Sequence, residues 1–291
     1  NIGYTGLGKD MDFFYDGGKQ VRTDHNTSIK NSEEIMRYMQ VMKMIDFWFI
    51  QEIDLDSKRS YYINQLELMK TKLSQSYHFF ATNYDVSFVP VPLSSPMGKV
   101  YAGQAIVSNE KPLESKRYSF PGNYSWPKHL FLLDRCFILN RYPLFSGRNL
   151  VLINTHNSAF DDGTLRQEQL GILINVMTSE YEKGNFVVAG GDWNMNPPGF
   201  EGSEISTGDK IKYIEPAIDE ASFPGGWTVA FDPRVPTNRD LSTPYLRGST
   251  PVTIIDFFVC SPTVEVLEVK GINAGFEFSD HNPVAMQFRL R

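Results

Sequence analysis

The chain has 291 residues, 41% of them hydrophobic, enough for a sizeable core in one large domain or two small ones. Its 28 basic against 34 acidic residues give a net charge of −6, which argues against holding long nucleic acid by bulk charge, although a local basic groove is compatible with it. Two cysteines, Cys136 and Cys260, are too few for a disulfide scaffold or a zinc cluster, and no apolar run approaches the ~20 residues that span a bilayer.

No repeat, low-complexity tract or long linker divides the sequence, so one domain over 1–291 is expected. After Asn1-Ile2-Gly3 comes a polar, Gly-rich stretch from Gly3 to Lys30. Asn31-x-x-Glu34 then resembles a capping box, followed by Ile35, Tyr38, Met39, Met42 and Ile45 at helical spacing. Phe47 to Glu52 (FWFIQE) is an apolar strand that stops at Gln51-Glu52. A second helix is expected near Ser60 to Gln75, with Ile63, Leu66, Met69 and Leu73 on one face. Gln104 to Ser108 and Cys136 to Asn140 read as strands, the latter pairing with Leu150 to Asn154 through a Pro/Gly turn. Val151 to His156 (VLINTH) ends in Asn154-Thr155-His156, and Thr164-x-x-Gln167 opens a third helix carrying Leu170, Leu173, Ile174 and Met177.

Val187 to Asn194 (VVAGGDWN) is the most informative stretch. Its apolar half must be buried, and its glycines let backbone and ligand come close. On extended backbone, residues two apart point the same way, so Asp192 and Asn194 are expected to project side by side. The Asn196-Pro197-Pro198-Gly199 that follows would equally suit a strand ending in a plain turn. Phe223 to Thr250 is long and irregular. Thr253 to Val259 (TIIDFFV) encloses Asp256, and Phe278 to Val284 (FSDHNPV) carries Asp280-His281 ahead of a proline. Helices alternating with buried strands, several joined by hairpins, suit an α/β fold of two packed sheets with helices outside.

Burying one carboxylate without a partner is costly, so apolar strands that repeatedly stop at acidic, amide or imidazole groups imply convergence or a bound cation. Glu52, Asp192, Asp256 and Asp280 supply charged oxygens, and Asn1, Asn154 and Asn194 neutral ones. Such a hard-oxygen set suits Mg²⁺, with Mn²⁺ or Ca²⁺ as alternatives, rather than zinc. Each also has a bland reading: Glu52 as a solvated residue after a strand, Asp256 as a buried acceptor, His156 as purely structural. His25, His78 and His129 match no motif.

In order and type, Gln51-Glu52, Asn154-Thr155-His156, Gly191-Asp192-Trp193-Asn194 and Ser279-Asp280-His281 resemble the endonuclease/exonuclease/phosphatase superfamily, over almost the whole chain from Asn1 to His281. The run from Gly3 to Gly18 is similar to bacterial members with no settled substrate. The resemblance implies a four-layer α/β/β/α sandwich of two mixed sheets, with the site at one sheet edge. It implies Glu52 as main metal ligand with Asn1 and Asp280 nearby. Asp192 would orient or deprotonate the attacking water, Asn194 would hold water and phosphate, and His281, steadied by Asp256, would contact the phosphate or shuttle a proton. His156 matches a second histidine of the deoxyribonuclease and sphingomyelinase branches. Many relatives place Arg before Asp256 and Leu after His156, where this chain has Ile255 and Asn157. A strand expected before Asn1 is missing, so the amino terminus is expected to be trimmed and the protein exported.

The expectation is a monomeric, metal-dependent hydrolase of a phosphoester, small or lipid-linked rather than nucleic acid. A nuclease is the alternative, and a non-catalytic binding module on the same fold is the reading from another class. Arg is the natural bidentate partner of phosphate. The two long segments are therefore candidates for substrate recognition, with Arg234, Arg239 and Arg247 as contacts and Asn154 as a further one.

Overall fold

The computed structural model describes residues 1–120, 134–159, 164–205, 208 and 213–291; His129 lies outside them. A three-stranded antiparallel sheet, in the order β1 (Phe47–Asp54), β3 (Gly98–Ser108), β2 (Tyr77–Val89), forms one inner layer. The other is a six-stranded sheet of β4 (Glu114–Ser119), β5 (Cys136–Pro143), β6 (Asn149–His156), β7 (Phe186–Asp192), β11 (Asp256–Cys260) and β8 (Thr228–Ala230), in that spatial order. In that sheet β6 and β7 run parallel and the other neighbours antiparallel, so of the two inner sheets only this one is mixed. Two ribbons complete the strands, β9 (Asn238–Arg239) with β10 (Val252–Thr253) and β12 (Val264–Gly271) with β13 (Val284–Leu290).

The period-two alternation of the strands sorts their side chains between layers. Ile106, Ile138, Leu152 and Val188 meet between the sheets. Val151, Ile153, Val187 and Ala189 face outward and pack under Leu170, Leu173 and Met177 of α3 (Thr164–Glu182). On the opposite outer face, Ile50, Ala105 and Val107 pack under Met36 and Met39 of α1 (His25–Val41) and Leu66 and Met69 of α2 (Gln65–Lys72). The four-layer α/β/β/α arrangement is thus observed.

Two helix starts differ from expectation. Asp24, not Asn31, caps α1, accepting from the Thr27 amide (3.1 Å) and hydroxyl (2.6 Å). Asn31 sits inside the helix, where its amide donates to the Thr5 carbonyl (3.0 Å). Asn64 caps α2 through the Glu67 amide (2.9 Å), so that helix begins five residues after Ser60. The Gly3-to-Lys30 stretch is not a free loop either. Tyr4, Leu7, Phe13 and Val21 form a buried cluster with Tyr84, Val86 and Val100 of the first sheet.

Candidate active site

The strand ends bring the polar residues together. Parallel register sets His156, the last residue of β6, beside Asp192, the last of β7. Antiparallel register sets Asp192 opposite Asp256, the first of β11. Three chemically active side chains therefore stand abreast at one edge of a six-stranded sheet. Gly191 makes this possible: its φ is +132°, and a Cβ there would lie 2.2 Å from the Thr155 carbonyl oxygen. Trp193, fully buried, fastens the turn by stacking on Phe257 and donating its indole N–H to the Phe257 carbonyl (3.0 Å).

Glu52 comes from the facing sheet. The β1–β3 register slips between Ile50 and Ile53, and Glu52 takes a left-handed φ of +57°. This bulge turns Gln51 inward, where it donates to Asn154 Oδ1 (2.5 Å). Asn1 bridges the sheets, its Nδ2 donating to Glu52 Oε1 (3.2 Å) and Asp192 Oδ2 (2.9 Å). Its Oδ1 accepts from the Gly3 amide (2.9 Å). His156 Nε2 lies 3.5 Å from Asp192 Oδ2 and 4.0 Å from Glu52 Oε1. On the other side, His281 Nδ1 meets Asp256 Oδ2 at 2.7 Å, and its Nε2 lies 3.7 Å from Asp192 and 3.9 Å from Asp280. Asn1, Glu52, His156, Asp192, Asp256, Asp280 and His281 are thus linked in one cluster.

The other expected contacts lie elsewhere. Asn154 is fully buried between the sheets, its Nδ2 spent on the Ile50 (3.2 Å) and Ala105 (2.9 Å) carbonyls. It is a structural pin rather than a substrate contact. Asn194 does not extend beside Asp192, because the strand ends first and Asn194 takes a φ of +50°. Its backbone N–H donates to Asp192 Oδ1 (3.0 Å), its amide to the Asn157 carbonyl (2.9 Å), and its own carbonyl accepts from Arg166 (2.9 Å). Arg239 is buried with its guanidinium on main-chain carbonyls, which removes it as a phosphate contact. Arg234 is paired with Asp232 (2.8 and 3.0 Å), and Arg247 is exposed beside Gly208.

Sequence reasoning missed Asn238 and Arg166. Asn238 Nδ2 lies 3.0 Å from His281 Nε2, and its Oδ1 accepts from Tyr213. It belongs to a two-residue strand inside an irregular stretch, which leaves no periodic signal. Arg166 lies in the first turn of α3, where only its burial marks it.

The electrostatics split like groups apart. Burial drives the His156 imidazole well below its ordinary pKa, so it stays neutral. For His281, burial opposes the charged form, but the carboxylates of Asp256, Asp280 and Asp192 outweigh it and raise the pKa to about 9. Burial, reinforced by the Asp256 charge, lifts Asp192 to about 6, whereas His281 overrides burial at Asp256 and lowers it. Burial also raises Asp280, with Glu52 adding to it. Four carboxylates around one imidazolium leave negative charge to be offset, and hard oxygen donors fit a divalent cation. Asp192, Asp256 and His281 also offer ligand atoms within 4.8 Å of one another.

A sequence profile described as the Endonuclease/Exonuclease/phosphatase family matches residues 25–281. No curated protein matched the sequence. Among solved structures, the fold is similar to an endonuclease/exonuclease/phosphatase from Bacteroides vulgatus (TM-score 0.56, 14% identity, 90% of each chain). It is also similar to D. rerio TDP2 complexed with single strand DNA product (TM-score 0.58, 16% identity, 90% of this chain and 93% of that one). The human Nocturnin catalytic domain matches at a TM-score of 0.59 and 15% identity, over 90% of this chain and 87% of that one. With the family profile covering all but the ends of the sequence, the chain belongs to the Endonuclease/Exonuclease/phosphatase family.

Proposed function

We propose that the chain is a divalent-metal-dependent hydrolase of a small or lipid-linked phosphoester. The observation that carries this reading is the convergence on one edge of Glu52 from one sheet, Asp192 from the other, and Asp280 and His281 from the segment between β12 and β13. Glu52 and Asp280 would hold Mg²⁺ or Mn²⁺, which supplies charge to offset the anionic phosphoryl oxygens. Asn1 would join them after rotating its amide, since its nitrogen now faces the carboxylates. Asp192, with a pKa near 6, would accept a proton from water at neutral pH. His281, held by Asp256, turns its Nε2 toward Asp192 and Asp280, and neutral His156 turns its Nε2 toward Asp192 and Glu52. Electrostatic support of this kind acts where charge develops. D. rerio TDP2 carries single strand DNA product, so nucleic acid is the competing substrate class. The net charge of −6 favours the smaller ester.

The test is a panel of DNA, RNA, sphingomyelin, inositol phosphates and aryl phosphates with Mg²⁺, Mn²⁺ or Ca²⁺. Turnover of a small or lipid phosphoester that chelator abolishes is the expected result. Full turnover in chelator, or rescue by zinc alone, would overturn the metal assignment.

A further inference from the structure

We propose that Arg239 is a positioning residue that locks the amino-terminal segment, and with it Asn1, onto the Asp280–His281 side of the site. The guanidinium is almost completely buried, and three of its contacts are carbonyls of that segment: Leu7 (3.2 Å), Gly8 (2.9 Å) and Met11 (3.0 Å). Two more, Asp240 (3.1 Å) and Thr243 (3.3 Å), lie just after its own strand. Its backbone N–H donates to the Asp280 carbonyl (3.2 Å), and Asn238, next to it, touches His281. One residue thus joins the amino-terminal segment to the Asp280–His281 side of the cluster. Buried loop carbonyls need donors, and a planar fork can serve several at fixed angles where an ammonium cannot.

The segment it grips is fitted closely to the Glu277–Asp280 loop. Gly3 has a φ of +48°, and a Cβ there would lie 2.5 Å from Asp280 Oδ1. A Cβ on Gly8 would lie 2.6 Å from the Glu277 carbonyl. Lys9 pairs with Glu277 (2.6 Å), and Ser279 Oγ donates to the Asn1 carbonyl (3.2 Å). Asn1 then reaches Glu52 and Asp192. Loosening the segment frees the side chain that bridges the two sheets. In its bearing on metal binding this inference rests on the reading proposed above; in its bearing on the segment it does not.

The experiment compares the full chain with Arg239→Met and Arg239→Lys, using Arg289→Met, an exposed partner of Glu265, as control. Hydrogen exchange of metal-free protein is followed for residues 3–13 and 277–284. Thr5, Gly6, Met11 and Phe13 donate to main-chain carbonyls, so their protection reports the clamp. Both segments are expected to exchange at least ~10-fold faster in Arg239→Met, with β7 unchanged. Mn²⁺ affinity, read by electron paramagnetic resonance, should weaken by ~10-fold or more. Arg239→Lys should fall between, and it carries the comparison alone if Arg239→Met does not fold. Wild-type exchange in either segment, uniform acceleration including β7, or faster exchange with unchanged Mn²⁺ affinity would overturn the proposal. If the wild type binds no Mn²⁺, the metal reading fails, while joint acceleration of the two segments still decides the coupling.

Discussion

At the scale of single residues, the site works by pushing identical groups in opposite directions. Asp192 and Asp256 lie opposite each other across β7 and β11, yet one is raised and the other lowered, because Asp256 holds the imidazolium. Asp192→Asn keeps the shape but removes the proton acceptor, so kcat should fall by at least ~10²-fold, measured under saturating substrate. The same variant should melt higher than wild type at neutral pH in chelator, because ionising a buried carboxyl with a pKa near 6 costs native stability. His281 sets a second, testable slope. Its folded pKa of about 9 exceeds the unfolded value of 6.5, so the native state binds the extra proton between them. The stabilisation is complete below pH 6.5 and is lost as pH rises through 9, at most roughly 3 kcal/mol because Asp256 and Asp280 titrate with it. The melting-temperature gap between metal-free wild type and His281→Gln should therefore shrink from pH 6 to pH 9. A gap that widens over that range would contradict the assigned charge.

At the scale of elements, the geometry rests on the ends of β6, β7 and β11, the bulge in β1, and the segment between β12 and β13. The sequence showed these positions because apolar runs stop at Glu52, His156 and Asp192 and enclose Asp256, and each does sit at the candidate site's edge, although β1 continues past Glu52 to Asp54. It did not show where extension stops. Asn194 was expected beside Asp192 on extended backbone, but its left-handed φ sends the amide to Asn157, and no period in the sequence encodes that reversal. Likewise Asn31-x-x-Glu34 has the form of a helix start, but burial of Asn31 against Thr5 overrides it, and Asp24 caps instead. Asn154 shows the reverse error: an amide in a motif proved to be mortar between the sheets. Asn154→Ala would strand Gln51 Nε2 and the Ile50 and Ala105 carbonyls. At about 1–3 kcal/mol for each buried unsatisfied group, the loss should reach at least roughly 3 kcal/mol. Urea unfolding should show it as a lower midpoint with unchanged m, while kcat of the folded protein stays close to wild type. A large fall in kcat with normal stability would instead return Asn154 to the substrate.

At the scale of the whole molecule, charge bears on which substrates can be held. Net charge is −6, and several exposed cations are already paired with neighbours: Arg234 with Asp232, Arg37 with Glu34 and Lys70 with Glu67, while Arg289 and Arg291 share Glu265. Surface pairs of this kind add little stability, but each lowers the free positive charge available to a polyanion. Nucleic-acid binders gain affinity by releasing counterions, roughly one for each phosphate neutralised, so their affinity falls steeply with salt. Fluorescence anisotropy with a labelled single-stranded DNA should therefore show binding no tighter than ~10⁻⁴–10⁻⁶ M near physiological salt, with a shallow salt slope. Arg234 is exposed but paired with Asp232, which leaves Arg247, exposed beside Gly208, as the expected recognition arginine to test. Its replacement by alanine should raise KM far more than it lowers kcat if it holds ground and transition states alike. Tight DNA binding with a steep salt slope, together with turnover of DNA and indifference to small phosphoesters, would transfer the assignment to nucleic acid while leaving the chemistry of Asp192 and His281 intact.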